Sequence, residues 1–153
     1  MKELLKKFIP WIDIDKKIYR KYLKSSKLYR SGKKRLANYL SYQIQKKYHC
    51  IISPHSMIGS NLKLPHPLGI VIGYDAIIGN SVTIYQDVTI GQKDNKYPTI
   101  GNNVMIYTGA KIIGDVHIGN NVIIGANAVV MHDVPDNCVV AGIPARIIKR
   151  NDE

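Results

Sequence analysis

Isoleucine recurs every six residues through the second half of the chain. Ile72, Ile78, Ile84 and Ile90 keep that spacing, as do Ile100, Ile106, Ile112, Ile118 and Ile124, with Val130 continuing the row. A small or β-branched residue stands two positions earlier, for example Val82, Val88, Val104, Ala110, Val116 and Val122. Six fits neither the 3.6 period of a helix nor the alternation of a long strand. It fits a short strand and a turn, repeated. Strand side chains alternate, so the Ile and the residue two before it point the same way, into the interior. Three units close a triangular coil, and stacked coils bury one aliphatic column. The expected fold is mainly β, a parallel β-helix over 49–133. Gly79-Asn80, Gly101-Asn102-Asn103 and Gly119-Asn120-Asn121 mark corners where positive φ is predicted. One Phe and one Trp against ten Tyr agree with a core of Ile and Val.

The row breaks twice. Ile58 to Ile72 is 14 residues, two more than two hexads, and Ile90 to Ile100 is 10, four more than one. Extra residues cannot enter a packed column, so they must bulge outward. The first excess falls in Leu64-Pro65-His66-Pro67-Leu68-Gly69, the second in 91–99. Irregularities on a rigid scaffold are where a site is expected.

Residues 1–48 lack the repeat. They hold fifteen Lys/Arg against three acids, whereas 49–153 hold seven against eight, so the whole +11 excess lies in the first third. Such a segment suits an anionic partner or a solvated face. A helix is predicted around Ile14–Leu23 and a second after Ser31-Gly32, with Leu36, Tyr39, Leu40, Gln43 and Ile44 on its apolar face. These helices are expected to cover the first coil, whose open edge would otherwise invite aggregation. Val134-Pro135-Asp136-Asn137 and Gly142-Ile143-Pro144 end the repeat, so 134–153 reads as a cap with Ala145–Arg150 lying back over the last coils. Cys50 and Cys138 show neither metal spacing nor a disulfide framework. Lys6, Lys7 and Pro10 interrupt any signal-like apolar centre, and no apolar stretch is long enough to span a bilayer. The expected location is the cytoplasm.

The stretch LPHPLGIVIG (64–73) resembles the serine acetyltransferase family. The likeness continues through IYQDVTIG (84–91), VMIYTGAKIIGDVHIGNNVIIGANAVV (104–130) and VPDNCVVAGIPARII (134–148), and LYRSGKKRLANYL (28–40) is similar to that family's last N-terminal helix. Most of the family's helical domain is missing, and the proportions also resemble short relatives that O-acetylate sugars of surface polysaccharides. The resemblance implies a left-handed coil, a homotrimer, and acetyl-CoA as co-substrate in a groove between neighbouring copies, with no metal.

The resemblance makes His66 the general base that takes the acceptor hydroxyl's proton, a task imidazole suits because it titrates near neutral pH. Pro65 and Pro67 flank it and restrict Leu64 and His66 to extended backbone. His55, His117 and His132 read as ordinary surface or core residues. Three positions depart from the family. Pro65 stands where serine-specific enzymes carry an Asp, Ile51 where an Asp orients the histidine, and Tyr97 where a second histidine precedes a proline. Tyr97 is then a candidate substrate-binding residue that donates a hydrogen bond or stacks on a sugar. Thr108, Gly109, Ala110, Gly125, Ala126, Ala141 and Gly142 match small positions along the pantetheine arm. Arg146, Lys149 and Arg150 are candidates for the CoA phosphates.

The expected activity is acetyl-CoA-dependent O-acetylation of a sugar, most simply of a surface polysaccharide or its lipid-linked precursor. The basic segment would then contact an anionic membrane rather than nucleic acid. Serine O-acetylation is the alternative, followed by a catalytically silent binding protein. The zinc carbonic anhydrases of this scaffold need a His-x-x-x-x-His pair that the chain lacks.

Overall fold

The computed structural model describes residues 13–150. The ends of the two flanking segments, 1–12 and 151–153, lie outside the described residues. The interrupted apolar stretch at Lys6, Lys7 and Pro10 lies there too.

Hexads wind into a three-faced prism. The first face stacks β1 (Ile51–Ile52), β3 (Val71–Ile72), β6 (Thr89–Gly91), β9 (Lys111–Ile113) and β12 (Val129–Val130). The second stacks β2 (Met57–Ile58), β4 (Ile77–Ile78), β7 (Thr99–Ile100) and β10 (His117–Ile118). The third stacks β5 (Thr83–Ile84), β8 (Met105–Ile106), β11 (Ile123–Ile124), β13 (Cys138–Ala141) and β14 (Arg146–Arg150). All pairs are parallel except the last, where β14 runs antiparallel to β13. Ile72 sits over Ile90 and Ile90 over Ile112, so like residues pack on like in a buried column. Each such isoleucine contributes about 1.5–3 kcal/mol by leaving water.

The corners divide their work differently from the sequence reading. Gly79 and Gly101 are not the positive-φ residues; Asn61, Ser81, Asn103, Asn121 and Asn137 are. A Cβ on Gly79 would come within 2.6 Å of the Gly101 carbonyl oxygen, so glycine is required there for close stacking of coils. The asparagines between form a ladder: Asn80 N–H donates to Asn102 Oδ1 at 2.8 Å, and Asn102 N–H to Asn120 Oδ1 at 2.8 Å.

Two helices cover the open end. α1 (Ile14–Arg30) runs a full turn or more past its predicted end, and α2 (Lys34–Tyr48) follows. Tyr19 and Tyr22 hydroxyls donate to the carbonyls of Gly59 and Ser56, both at 2.7 Å, and Ser41 Oγ donates to the Ile52 carbonyl at 2.6 Å. The buried residues of α2 are Ala37 and Ile44; of the predicted stripe Ile44 is buried and Leu40 and Gln43 are half-buried, whereas Leu36 and Tyr39 are exposed. At the other end the repeat runs past 133: Val134 bridges Ile118, and β13 continues the third face. Among the described residues at this end, only the tail strand β14 lies outside the parallel coil.

Candidate active site

The first register break is a two-residue bulge. Lys63 is aligned with Thr83 on the next coil, while Leu68 already meets Asp87, whose N–H donates to the Leu68 carbonyl at 2.9 Å. Four residues, 64–67, thus stand against two, Ile84 and Tyr85, and His66 and Pro67 are pushed outward. The bulge is tied at its foot. Leu68 N–H donates to the His66 carbonyl at 2.8 Å, Gly69 N–H to the His49 carbonyl at 3.1 Å, and Cys50 Sγ to the Pro67 carbonyl at 3.1 Å. Burial pushes the Cys50 thiol pKa up, which keeps it protonated and a donor. His66 itself is exposed, and its ring has no hydrogen-bond partner among the described residues. A depression of about 390 Å³ borders the bulge through Leu64, Pro65 and Pro67 and reaches the start of α1; His66 is not among its walls.

Along the same prism corner, coil by coil, Tyr85 is followed by Tyr107, Gly125 and Ala141, as the in-register N–H···O=C bonds of those rows require. The Tyr85 and Tyr107 rings stack at 5.3 Å and 14°, and the His66 ring lies 6.3 Å from Tyr85. The neighbouring row holds Gln86, Thr108, Ala126 and Gly142. Beyond the two tyrosines the corner is therefore built of small residues. It ends at the β13–β14 turn, where Arg146 pairs in register with Ala141 and Lys149 with Val139. From the bulge to that turn is four coil steps, about 19 Å at the usual strand spacing.

Of the positions expected to line the cofactor, Thr108, Gly109, Gly125, Ala126, Ala141 and Gly142 share this corner, with Arg146 and Lys149 exposed at its end. Ala110 does not belong to the set. It is fully buried in the column, with its carbonyl accepting from Thr89 N–H, so its hexad phase makes it core. The same corner carries Tyr85, Tyr107 and Gln86, which the sequence reading did not single out. Gln86 Oε1 is buried with no partner. Only the coil register, which lifts them beside the bulge, could have singled them out.

Tyr97 lies elsewhere. The second break is a hairpin in which Lys93 and Lys96 exchange backbone hydrogen bonds and Asp94 and Asn95 both have positive φ, the geometry of a type I′ turn. Lys96 Nζ reaches Asp115 Oδ2 at 2.6 Å, pinning the loop to the coil above. Tyr97 folds over Gly73 at the corner between the first and second faces. There Tyr29 and Tyr74 hydroxyls meet at 2.6 Å, which raises the Tyr74 pKa. His55 stacks on Tyr74 at 4.1 Å, with Nδ1 2.5 Å from Asp75 Oδ1. His66 and Tyr97 are thus one prism face apart within a protomer. Among the described residues, no group of His, Cys, Asp or Glu could hold a metal.

Comparison with known proteins adds a family. Residues 97–132 match the bacterial transferase hexapeptide (six repeats) family. A serine acetyltransferase of Synechococcus elongatus is 45% identical over 104 residues, 65% of this chain and 43% of that protein. The crystal structure of serine acetyltransferase from Vibrio cholerae superposes with a TM-score of 0.85 at 38% identity, over 89% of this chain and 54% of that one. The chain resembles the serine acetyltransferase family. A serine acetyltransferase solved in complex with CoA is similar at a TM-score of 0.82 and 39% identity, covering 86% of this chain and 55% of that chain. The likeness makes the coil a left-handed β-helix. This serine acetyltransferase-like chain spans about half the length of the proteins it matches.

Proposed function

We propose that the chain transfers an acetyl group from acetyl-CoA to a hydroxyl, with His66 as general base. Imidazole takes the acceptor proton as the oxygen attacks the thioester carbonyl. The tetrahedral intermediate expels the CoA thiolate, and the imidazolium returns the proton to sulfur. The observation that supports this most is the placement of His66 on a tied bulge at the foot of a small-residue corner that leads to Arg146 and Lys149. Small residues let an extended arm lie against the coil, and the two cations suit phosphates at its far end. Gln86 lies in the neighbouring row of the same corner, and its Oε1, buried without a partner, would meet an amide N–H of that arm once the side chain turns outward. Such an orphan costs about 1–3 kcal/mol, which a ligand donor would remove. In the homotrimer that the resemblance implies, Tyr97 of a neighbouring copy would approach the corner that carries His66, since its own copy holds it one face away.

The sequence alone places a sugar ahead of serine as acceptor. The comparisons reverse that order, because the relatives are named for serine acetylation. L-Serine is therefore the first acceptor. A neutral sugar hydroxyl is kept as the second by one observation: the ring beside His66 is Tyr85, the preceding residue is Pro65, and Ile51 points outward where a carboxylate would be needed. CoA release measured with L-serine and with a panel of sugars decides between them. Turnover of serine alone supports the first reading and turnover of a sugar alone the second. With neither, and no stabilisation by acetyl-CoA, the chain is a silent binding protein.

A further inference from the structure

We infer that the outer face of the α1–α2 hairpin is a docking surface for an anionic phospholipid bilayer. From Lys16 to Tyr74 the sequence holds ten lysines and three arginines and not one Asp or Glu. The structure sorts these residues. Inward, Tyr19, Tyr22 and Ser41 fasten the hairpin to the first coil, so the opposite face looks away from the prism. On α2 that face is Arg35, Tyr39, Tyr42 and Lys46, spaced i, i+4, i+7 and i+11 opposite buried Ala37 and Ile44. On α1 it is Arg20, Leu23, Lys24 and Lys27.

Two properties identify the occupant. The apolar members are well exposed, Leu23 at 45%, Tyr42 at 55% and Tyr39 at 57%. Arg20, Lys24, Lys27, Arg35 and Lys46 have no ion-pair partner among the described residues. Tyrosine bracketed by long cations is the composition of the membrane–water interface: the ring sits at headgroup depth while Lys and Arg stems lie along it and their charges reach lipid phosphates. A nucleic-acid backbone would use the cations and leave Leu23 without a role. No helix of the described residues is long and apolar enough to cross a bilayer, so the contact is peripheral.

The test is co-sedimentation of the full chain with vesicles of phosphatidylcholine, alone or mixed with phosphatidylglycerol. Binding is expected only with phosphatidylglycerol. It should be lost in molar salt, where screening shortens from about 10 Å to about 3 Å. Arg35→Ala with Lys46→Ala should weaken it about 30-fold, the worth of two cations near an anionic surface. Tyr39→Ser with Tyr42→Ser should weaken it about tenfold through lost apolar contact. All four positions are exposed, and an unchanged thermal midpoint checks that the fold is intact. The inference is overturned by equal binding to neutral vesicles or by none. Tighter binding to a nucleic acid at the same salt overturns it, as does a change of oligomeric state in place of a change in vesicle binding. Binding that survives both double variants but is lost when Lys2, Lys6 and Lys7 are changed to Ala in the full chain overturns the inference and assigns the contact to residues 1–12. Vesicle binding is read without acetyl transfer, so it stands or falls separately from the proposed activity.

Discussion

The ring of Tyr97 occupies the space that a side chain on residue 73 would need: a Cβ built on Gly73 would lie 2.5 Å from Tyr97 Cε1. Gly73→Ala must therefore swing the phenol off the corner. The expected result is a higher KM for the acceptor with the fold retained. Adding Tyr97→Ala to Gly73→Ala should then change little more, a non-additivity read by a double-mutant cycle.

Lys96 and Asp115 hold the loop that carries Tyr97. Their hydrogen bond, then their mutual charge, lowers the Asp115 pKa below 3.8 and raises that of Lys96 above 10.5. The depressed carboxyl stabilises the fold above its unfolded pKa and loses that effect as pH falls through its lower folded value. The raised amine contributes below 10.5 and loses its effect as pH rises through its higher folded value. The loop is thus expected to stay pinned across the neutral range. Asp115→Asn should lower hydrogen-exchange protection of the Lys93 and Lys96 amides at neutral pH, whereas wild type loses it only in strong acid or strong base.

Ile106 is fully buried in the third-face column between Ile84 and Ile124. Ile106→Ala should cost about 2–5 kcal/mol of unfolding free energy in denaturant at fixed protein concentration. Met105 on the same strand points outward, so Met105→Ala should cost far less.

Gln86 separates a binding role from a packing role. Gln86→Met removes the buried orphan oxygen, so stability should hold or rise. If the oxygen accepts from the pantetheine arm, KM for acetyl-CoA rises about tenfold, the worth of one hydrogen bond with its partner left unpaired. An unchanged KM would leave Gln86 without that role.

The column, both register breaks and the covered first coil were legible in the sequence because a six-residue period admits neither a helix nor a long strand, only a short strand and a turn, whereas the hand of the coil came from the family likeness. The face of α2 was legible only in part: the predicted stripe of Leu36, Tyr39, Leu40, Gln43 and Ile44 includes buried Ile44 but also exposed Leu36 and Tyr39 and leaves out buried Ala37, because hydrophobicity alone cannot tell a face that meets protein from one that meets something else. Ala110 was misread because a small residue looks alike in a core and beside a ligand; its phase in the hexad, two before Ile112, already made it core. The extent of the coil was misjudged because Val134-Pro135-Asp136-Asn137 reads as a terminator, whereas Asp136 Oδ1 takes over the asparagine ladder by accepting from Asn120 N–H at 2.7 Å. Tyr85 and Tyr107 were invisible because their contact depends on register between coils 22 residues apart in sequence.

The central claim is that the imidazole on the bulge removes the acceptor's proton. It is tested most directly by kcat of His66→Ala, alongside its thermal midpoint and acetyl-CoA affinity. Loss of about 100-fold or more in kcat, with midpoint and affinity unchanged, is the expected result. Near-normal turnover would contradict the claim.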